Sequence, residues 1–326
     1  MITVVLYTHP EDEDVEALRT LLEDLQGEVP HRVVTVDVSQ SVGLAEKLAG
    51  RTPVLRIGPY TLDGDLNRTR ILIALRAAAK GQADGRKMAP HRVTAAERFI
   101  YWFSKHWLLV FNLLVGLYVG LPFLAPTLME MGLTTPAKAI YTVYGATCHQ
   151  LAFRSWFLFG EQPAYPRAAA HVPGLEPYGQ ATGLDPNDLW QARRFLGNRT
   201  VGFKVAICER DIAIYGAILL FGLLYGLTRR RIPPLPWYLW VLLGWLPIGL
   251  DGLSQLLSQM PHSFLPYRES TPLLRTVTGF LFGFTTAWFG YPLVEESMRQ
   301  NVKALEARFH ISRAVYGEDG RPHDTA

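Results

Sequence analysis

The chain has 326 residues, of which 49% are hydrophobic and 19% charged, and its formal net charge is +3. The basic residues cluster beside apolar segments instead of forming one stripe, which favours lipid headgroups over nucleic acid as partners. Two cysteines are too few for a disulfide framework. No basic region precedes an apolar stretch at the N-terminus, so we expect no signal peptide and a cytoplasmic N-terminus.

Residues 1–80 have the composition of a small α/β domain. The sequence predicts strands and helices in alternation, at residues 3–7, 14–25, 31–38, 42–48, 52–57 and 68–79. The order β-α-β-α-β-α, with Thr52-Pro53 before the third strand, resembles the glutaredoxin/thioredoxin-like fold. This resemblance implies a cis Thr52–Pro53 bond that faces the position of the family's redox site.

The redox cysteines of that family are absent here. Aligned on Pro10, the two positions of the Cys-x-x-Cys motif hold Asp12 and Val15. Thiol–disulfide exchange needs a thiolate, so we expect a redox-inactive domain. Such a domain either docks a cytoplasmic protein partner or is retained only as a folding unit.

The rest of the chain has the pattern of a helical membrane protein. A basic linker is predicted at 81–98, a membrane domain at 99–294 and a cytoplasmic tail at 295–326. Four apolar runs are long enough to cross a bilayer core of about 30 Å. They lie at residues 107–126, 212–228, 236–257 and 273–294.

Basic residues at 86–92 and 229–231 place both termini in the cytoplasm by the positive-inside rule. The spacing of apolar residues in the tail predicts a weak interfacial helix around 302–311. This topology leaves residues 127–210 and 258–272 outside. Within the first segment, Pro136–Phe159 is predicted to form one or two amphipathic or re-entrant helices.

Side chains that could bind a metal or take part in catalysis cluster at the outer ends of the predicted spans. Cys148 and His149 lie in the amphipathic segment. Cys208 and Asp211 are three residues apart, which places them on one face of a helix. Asp251 is in the third span, towards its outer end. Ionisable groups at this depth are costly and usually have a function.

The short loop before the fourth span carries Arg268 and Glu269, and Arg275 follows near the start of that span. These elements are expected to meet at the outer membrane interface.

Residues 140–292 resemble the uncharacterised membrane-protein family DUF2085. Four ordered strings carry the resemblance, the first of them followed by Arg154-Ser155-Trp156-Phe157-Leu158. The strings are Cys148-His149-Gln150, Cys208-Glu209-Arg210-Asp211, Asp251-Gly252-Leu253-Ser254-Gln255 and the stretch from Arg268 to Arg275. The resemblance implies a membrane protein and no established reaction. Asp211 stands where that family commonly has a cysteine.

Cys148, His149, Cys208 and Asp211 offer two sulfurs, one nitrogen and one carboxylate. This set suits zinc or another divalent transition metal. An aspartate in place of a cysteine keeps an anionic ligand, which fits metal binding better than a disulfide relay.

Asp251 or Glu269 would then act as a general base or hold His149 in position. The guanidinium groups of Arg210, Arg268 and Arg275 suit a phosphate or carboxylate of a substrate.

Other interpretations remain open on the sequence alone. Cys148 and Cys208 would be able to form a disulfide on the outer side or remain two unlinked thiols. Asp251 could instead serve only to neutralise the positive charge of Arg210 or Arg275. Gly279, Gly283 and Gly290 favour close helix packing.

These observations favour an integral membrane protein with a metal-binding site at its outer interface. Such a site would suit a membrane hydrolase acting on a lipid-type substrate, a transporter gate or a purely structural metal. The alternative is a non-enzymatic scaffold whose thioredoxin-like domain docks a partner. A transport role would require oligomerisation, and the sequence does not fix the oligomeric state.

Overall fold

The computed structural model describes residues 2–12, 14–83, 93–261 and 263–316. They form two units. One contains the described residues up to His106 together with those from Ser297 onward, and the other is Trp107–Glu296. The basic residues 86–92, which the sequence analysis used for orientation, lie outside the described residues.

The first unit contains a four-stranded mixed sheet in the order β2-β1-β3-β4. Its strands are β1 (Ile2–Thr8), β2 (His31–Asp37), β3 (Val54–Ile57) and β4 (Tyr60–Leu62). β1 pairs parallel to β2 and antiparallel to β3, which pairs antiparallel to β4. β4 was not predicted from the sequence: after Gly58-Pro59 the chain turns back and pairs with β3 as a hairpin.

The helices of this unit are α1 (Val15–Leu25), α2 (Val42–Leu48) and α3 (Arg68–Ala83). Apolar side chains of α1 and α3 cover one face of the sheet. Both faces of β1 are covered, so its apolar residues run almost without interruption.

The other face of the sheet is covered by α2 and by the last turns of the long C-terminal helix, Pro272–Tyr316. A Cβ atom on Gly43 would lie 2.6 Å from the carbonyl oxygen of Lys303, so glycine permits this close approach. Ile311 packs on the sheet, and the ring of Phe309 lies 5.2 Å from that of Tyr101. The tail is therefore not the interfacial helix that the sequence predicted, because its apolar side chains contact the protein.

The Thr52–Pro53 peptide bond is cis, as the resemblance implied. Asp12 lies beside it and accepts hydrogen bonds from the backbone N–H of His9 at 2.7 Å and from Thr52 Oγ1 at 3.1 Å. The carboxylate of Asp12 is thus already hydrogen-bonded within the domain.

Within the described residues, four helices are long and apolar enough to cross a membrane, as the sequence predicted. They are α4 (Ala95–Glu130), α8 (Glu209–Leu227), α9 (Trp237–Ser258) and α10 (Pro272–Tyr316). The candidate span of α10 is Pro272–Ala314. α9 contains one π-helical turn at Val241–Trp245. The ends of the predicted linker belong to helices, since α3 reaches Ala83 and α4 begins at Ala95.

Between α4 and α8 the chain is mostly irregular. α5 (Thr134–Tyr144) starts at the predicted Thr-Pro signal but ends before Gly145. The short helices α6 (Tyr178–Thr182) and α7 (Leu189–Arg194) follow. A small sheet has the order β5-β7-β6, from Phe157–Leu158, Gly202–Lys204 and Gly197–Asn198. The predicted amphipathic or re-entrant helix through Phe159 is therefore wrong beyond Tyr144.

Candidate functional site

Three consecutive side chains in the first turn of α8 contact three different groups of residues. Consecutive helical residues differ in direction by about 100°, so adjacent residues reach different partners. Glu209 pairs with Arg275 at 3.5 Å, and Arg210 pairs with Asp251. Asp211 turns instead towards the two cysteines. This turn therefore joins a thiol–carboxylate group to an ion-pair network.

Three potential metal ligands lie together at this turn. The Sγ atoms of Cys148 and Cys208 and a carboxylate oxygen of Asp211 all lie within 4.8 Å of one another. Both cysteines are free thiols, and Cys148 is buried while Cys208 is half-buried. The backbone N–H of Cys208 donates to Cys148 Sγ at 3.4 Å. The sequence prediction placed all three residues in one site, and the structure brings them together.

The two thiols differ in acidity because they are hydrogen-bonded to each other. The bond from Cys208 lowers the pKa of Cys148 below its usual value, although burial opposes the shift. The same bond, together with burial, raises the pKa of Cys208. Cys148 is therefore the sulfur that more readily becomes a thiolate.

His149 lies outside the three-residue group, in contrast to its assignment as a fourth ligand. Side chains alternate along this stretch, so that Cys148 and Gln150 are buried and His149 is exposed. Gln150 Nε2 donates to the carbonyl oxygens of Tyr141 at 2.9 Å and Ala206 at 2.7 Å. Gln150 thus ties the Cys148 loop to the segment that leads into Cys208.

Lys204 supports the same loop from inside the protein. Its Nζ donates to the carbonyl oxygens of Gln150 at 2.7 Å and Arg193 at 2.6 Å. Burial lowers its pKa to about 7. The carbonyl oxygen of Lys204 accepts a hydrogen bond from the hydroxyl of Tyr141. Lys204 was not predicted as a site residue, because no spacing or neighbouring motif in the sequence marks it.

Glu269 is the centre of one half of the ion-pair network, and its side chain is only 1% exposed. Its Oε1 accepts from Arg154 Nη2 at 2.8 Å, Arg275 Nη2 at 2.6 Å and Gln255 Nε2 at 2.9 Å. Arg167 lies 3.5 Å from Oε2. Burial acts to raise the pKa of Glu269, but the arginines, Arg154 foremost, outweigh it and hold the pKa below its usual value.

Asp251 is the centre of the other half, with a side chain 2% exposed. It pairs with Arg210, accepts from Arg268 Nη2 at 2.8 Å and accepts from Ser270 Oγ at 2.8 Å. The pairing with Arg210 that the sequence left open is thus present. The oxygens of Asp251 and Glu269 are engaged by the protein's own donors, which favours a structural role for both over the general-base role considered from sequence.

The arginines predicted to bind substrate are engaged with the protein's own carboxylates. The network still contains five arginines against three carboxylates. The Nε atoms of Arg167 and Arg210 are buried without a hydrogen-bond partner among the described residues. The excess positive charge favours an anionic group in the neighbourhood of this network.

Comparison with known proteins supports the membrane assignment. Residues 198–289 match a family described as "Predicted membrane protein (DUF2085)". An uncharacterised protein of Methanocaldococcus jannaschii, MJ1492, is 26% identical over 209 residues, covering 61% of this chain and 99% of that protein. No solved structure is significantly similar to the chain.

The chain is therefore similar to a family of membrane proteins of unknown function over the part that contains α8, α9 and the first half of α10. Cys208, Asp211, Asp251 and Glu269 lie within the matched residues, and Cys148 precedes them. The thioredoxin-like assignment of residues 1–80 stays a prediction.

Proposed function

We propose that the chain is a multi-pass membrane protein with a metal site formed by Cys148, Cys208 and Asp211. The observation that carries the proposal is the convergence of three donor atoms within 4.8 Å. Two of the donors come from segments 60 residues apart in sequence. The third, Asp211, is one turn along α8 from Cys208.

The donor set fits zinc or another divalent transition metal that prefers the same ligands. Two thiolates and a carboxylate around tetrahedral zinc, with bonds of about 2.0 to 2.3 Å, require donor separations of about 3.5 to 4 Å. The spacing within 4.8 Å needs only a small contraction to reach this geometry. The lowered pKa of Cys148 also favours the thiolate that a metal binds.

Three protein ligands leave one position of a tetrahedral metal open, which is the arrangement of catalytic rather than structural zinc sites. Such a metal would supply an activated water for hydrolysis. The neighbouring excess of arginine would attract an anionic substrate group. The ends of three candidate spans meet here, so we propose a substrate of lipid type, reached at the membrane surface.

Two further assignments belong to this proposal. Arg229–Arg231, between α8 and α9, favours a cytoplasmic position for that loop, which places both termini inside and the metal site outside. The sheet order β2-β1-β3-β4, with a parallel β1–β2 pair and antiparallel β1–β3 and β3–β4 pairs, supports a thioredoxin-like first domain. Because Asp12 occupies a cysteine position, we propose binding rather than redox chemistry for that domain.

Metal content and free thiols of the detergent-purified full chain test the metal site. We expect about one metal per chain in the wild type, as for a single zinc site. Cys148→Ser and Cys208→Ser should lose most of it, and Asp211→Asn should bind more weakly.

The matched control is His149→Ala, because His149 is adjacent in sequence but exposed and outside the group. This variant should retain the metal. Absence of metal from the wild type, with no free thiols, would indicate a disulfide and overturn the proposal. Loss of metal from His149→Ala alone would place the site elsewhere.

A further inference from the structure

A groove of about 830 Å³ lies in the first unit, between α2, strands β3 and β4, and the last turns of α10. This basic groove has five cationic side chains among its lining residues. They are Lys47, Arg51, Arg56, Lys303 and Arg308. One carboxylate, Glu46, is among the described lining residues. The volume lies within the range of about 300 to 1,000 Å³ that is usual for small-molecule sites.

Three of these cations already have carboxylate partners. Arg51 pairs with Asp63, Lys303 Nζ lies 2.6 Å from Glu46, and Arg308 Nη1 lies 2.9 Å from Glu97. These pairs contribute little positive charge to the groove.

Lys47 and Arg56 differ from the other three cations. Neither has a carboxylate partner in the part of the chain that the structure describes, and both side chains are exposed. Two positive charges in the lining are therefore uncompensated. The groove is complementary to a ligand with about two negative charges, as one phosphate group carries near neutral pH.

The rest of the lining is largely apolar. Val54 is fully buried two residues before Arg56, on the same face of β3. Leu48 and Ile311 contribute partly buried surface next to it. A ligand with an apolar body would cover this surface while its anionic group reached Lys47 and Arg56.

We propose that the basic groove binds an organic phosphate, with the phosphate at Lys47 and Arg56 and the apolar part along Leu48 and Ile311. The guanidinium fork of Arg56 suits the oxygens of a phosphate, and the Lys47 ammonium adds a point charge. The ligand is a soluble nucleotide or an amphiphile with a phosphate group, and both share this chemistry. The proposal does not depend on the metal site.

Equilibrium binding to the full-length protein in a non-ionic detergent tests the groove. The probes are inorganic phosphate, ATP and hexyl phosphate. We expect ATP or hexyl phosphate to bind more tightly than inorganic phosphate, because only the organic phosphates cover the apolar floor. ATP as the tighter probe would identify a nucleotide, and hexyl phosphate would identify an amphiphile. Binding should weaken as salt increases.

The double variant Lys47→Gln/Arg56→Gln should weaken binding about tenfold or more, because it removes two charge-assisted contacts. Arg19→Gln/Arg76→Gln is the control, since it removes the same charge from exposed helix positions away from the groove. Equal thermal midpoints of the two variants would show that both fold. Failure of all three probes to bind the wild type, or equal weakening in both variants, would overturn the proposal.

Discussion

Replacing Glu269 by glutamine is expected to lower the free energy of unfolding by about 3 to 5 kcal/mol, the usual cost of breaking a buried ion pair. Glutamine keeps the shape but removes the charge that holds Arg154, Arg167 and Arg275. Arg275 is 4% exposed and, among the described residues, would keep only Glu209, at 3.5 Å, as an anionic partner. Thermal unfolding of the detergent-purified protein, followed by tryptophan fluorescence, measures the loss.

Glu161→Gln is the matched control for this change. Glu161 is an exposed carboxylate in the irregular region between α4 and α8, which also carries Arg154 and Arg167, so its neutralisation should leave the unfolding midpoint unchanged. Equal midpoints for Glu269→Gln and the wild type would contradict the ion-pair network described here. A loss in Glu161→Gln as large as in Glu269→Gln would indicate a general effect of charge instead.

Gly283→Ala is expected to force α8 and α10 apart. A Cβ atom at this position would lie 2.1 Å from the carbonyl oxygen of Ile214 and 2.9 Å from its Cα. Because these are backbone atoms, no side-chain rotation relieves the contact. Overpacking of this kind costs about 1 to 3 kcal/mol, and thermal unfolding in detergent would report it as a lower midpoint.

Gly290→Ala provides a control on the same helix. A Cβ atom at Gly290 has no neighbour within 4 Å among the described residues, so its midpoint should match or exceed that of the wild type. The structure thus separates Gly279 and Gly283, where α8 approaches closely, from Gly290, where it does not. Equal midpoints for the variants at 283 and 290 would show that the helices do not pack as described.

The spans were predictable from sequence because length and absence of charge are local properties of a segment. The structure of the region after Tyr144 was not predictable in this way, because its apolar residues have helix-like spacing although the region is mostly irregular. Leu151, Phe153 and Phe157 pack with Tyr165 in a core that the irregular segment forms for itself. Apolar spacing therefore does not distinguish a surface helix from a folded loop with its own interior. β4 was missed because three residues are too few to show alternation.

Only the part of the candidate site that depends on residue type and local spacing was predictable from the sequence. Cys208 and Asp211 are one helical turn apart, and Cys148 was expected near them because its segment lies on the same side of the predicted membrane. His149 was predicted as a fourth ligand, but its side chain is exposed, whereas Cys148 and Gln150 on either side of it are buried. Gln150 and Lys204 act on backbone carbonyl oxygens of distant segments, and such contacts leave no pattern in the sequence.

X-ray absorption at the metal edge, on the full chain loaded with zinc, tests the proposed site most directly. We expect two sulfur neighbours at about 2.3 Å and oxygen neighbours at about 2.0 to 2.2 Å. In Cys148→Ser one sulfur neighbour should disappear, and in His149→Ala the spectrum should not change. A wild-type spectrum with nitrogen and oxygen neighbours but no sulfur would contradict a site built from Cys148, Cys208 and Asp211.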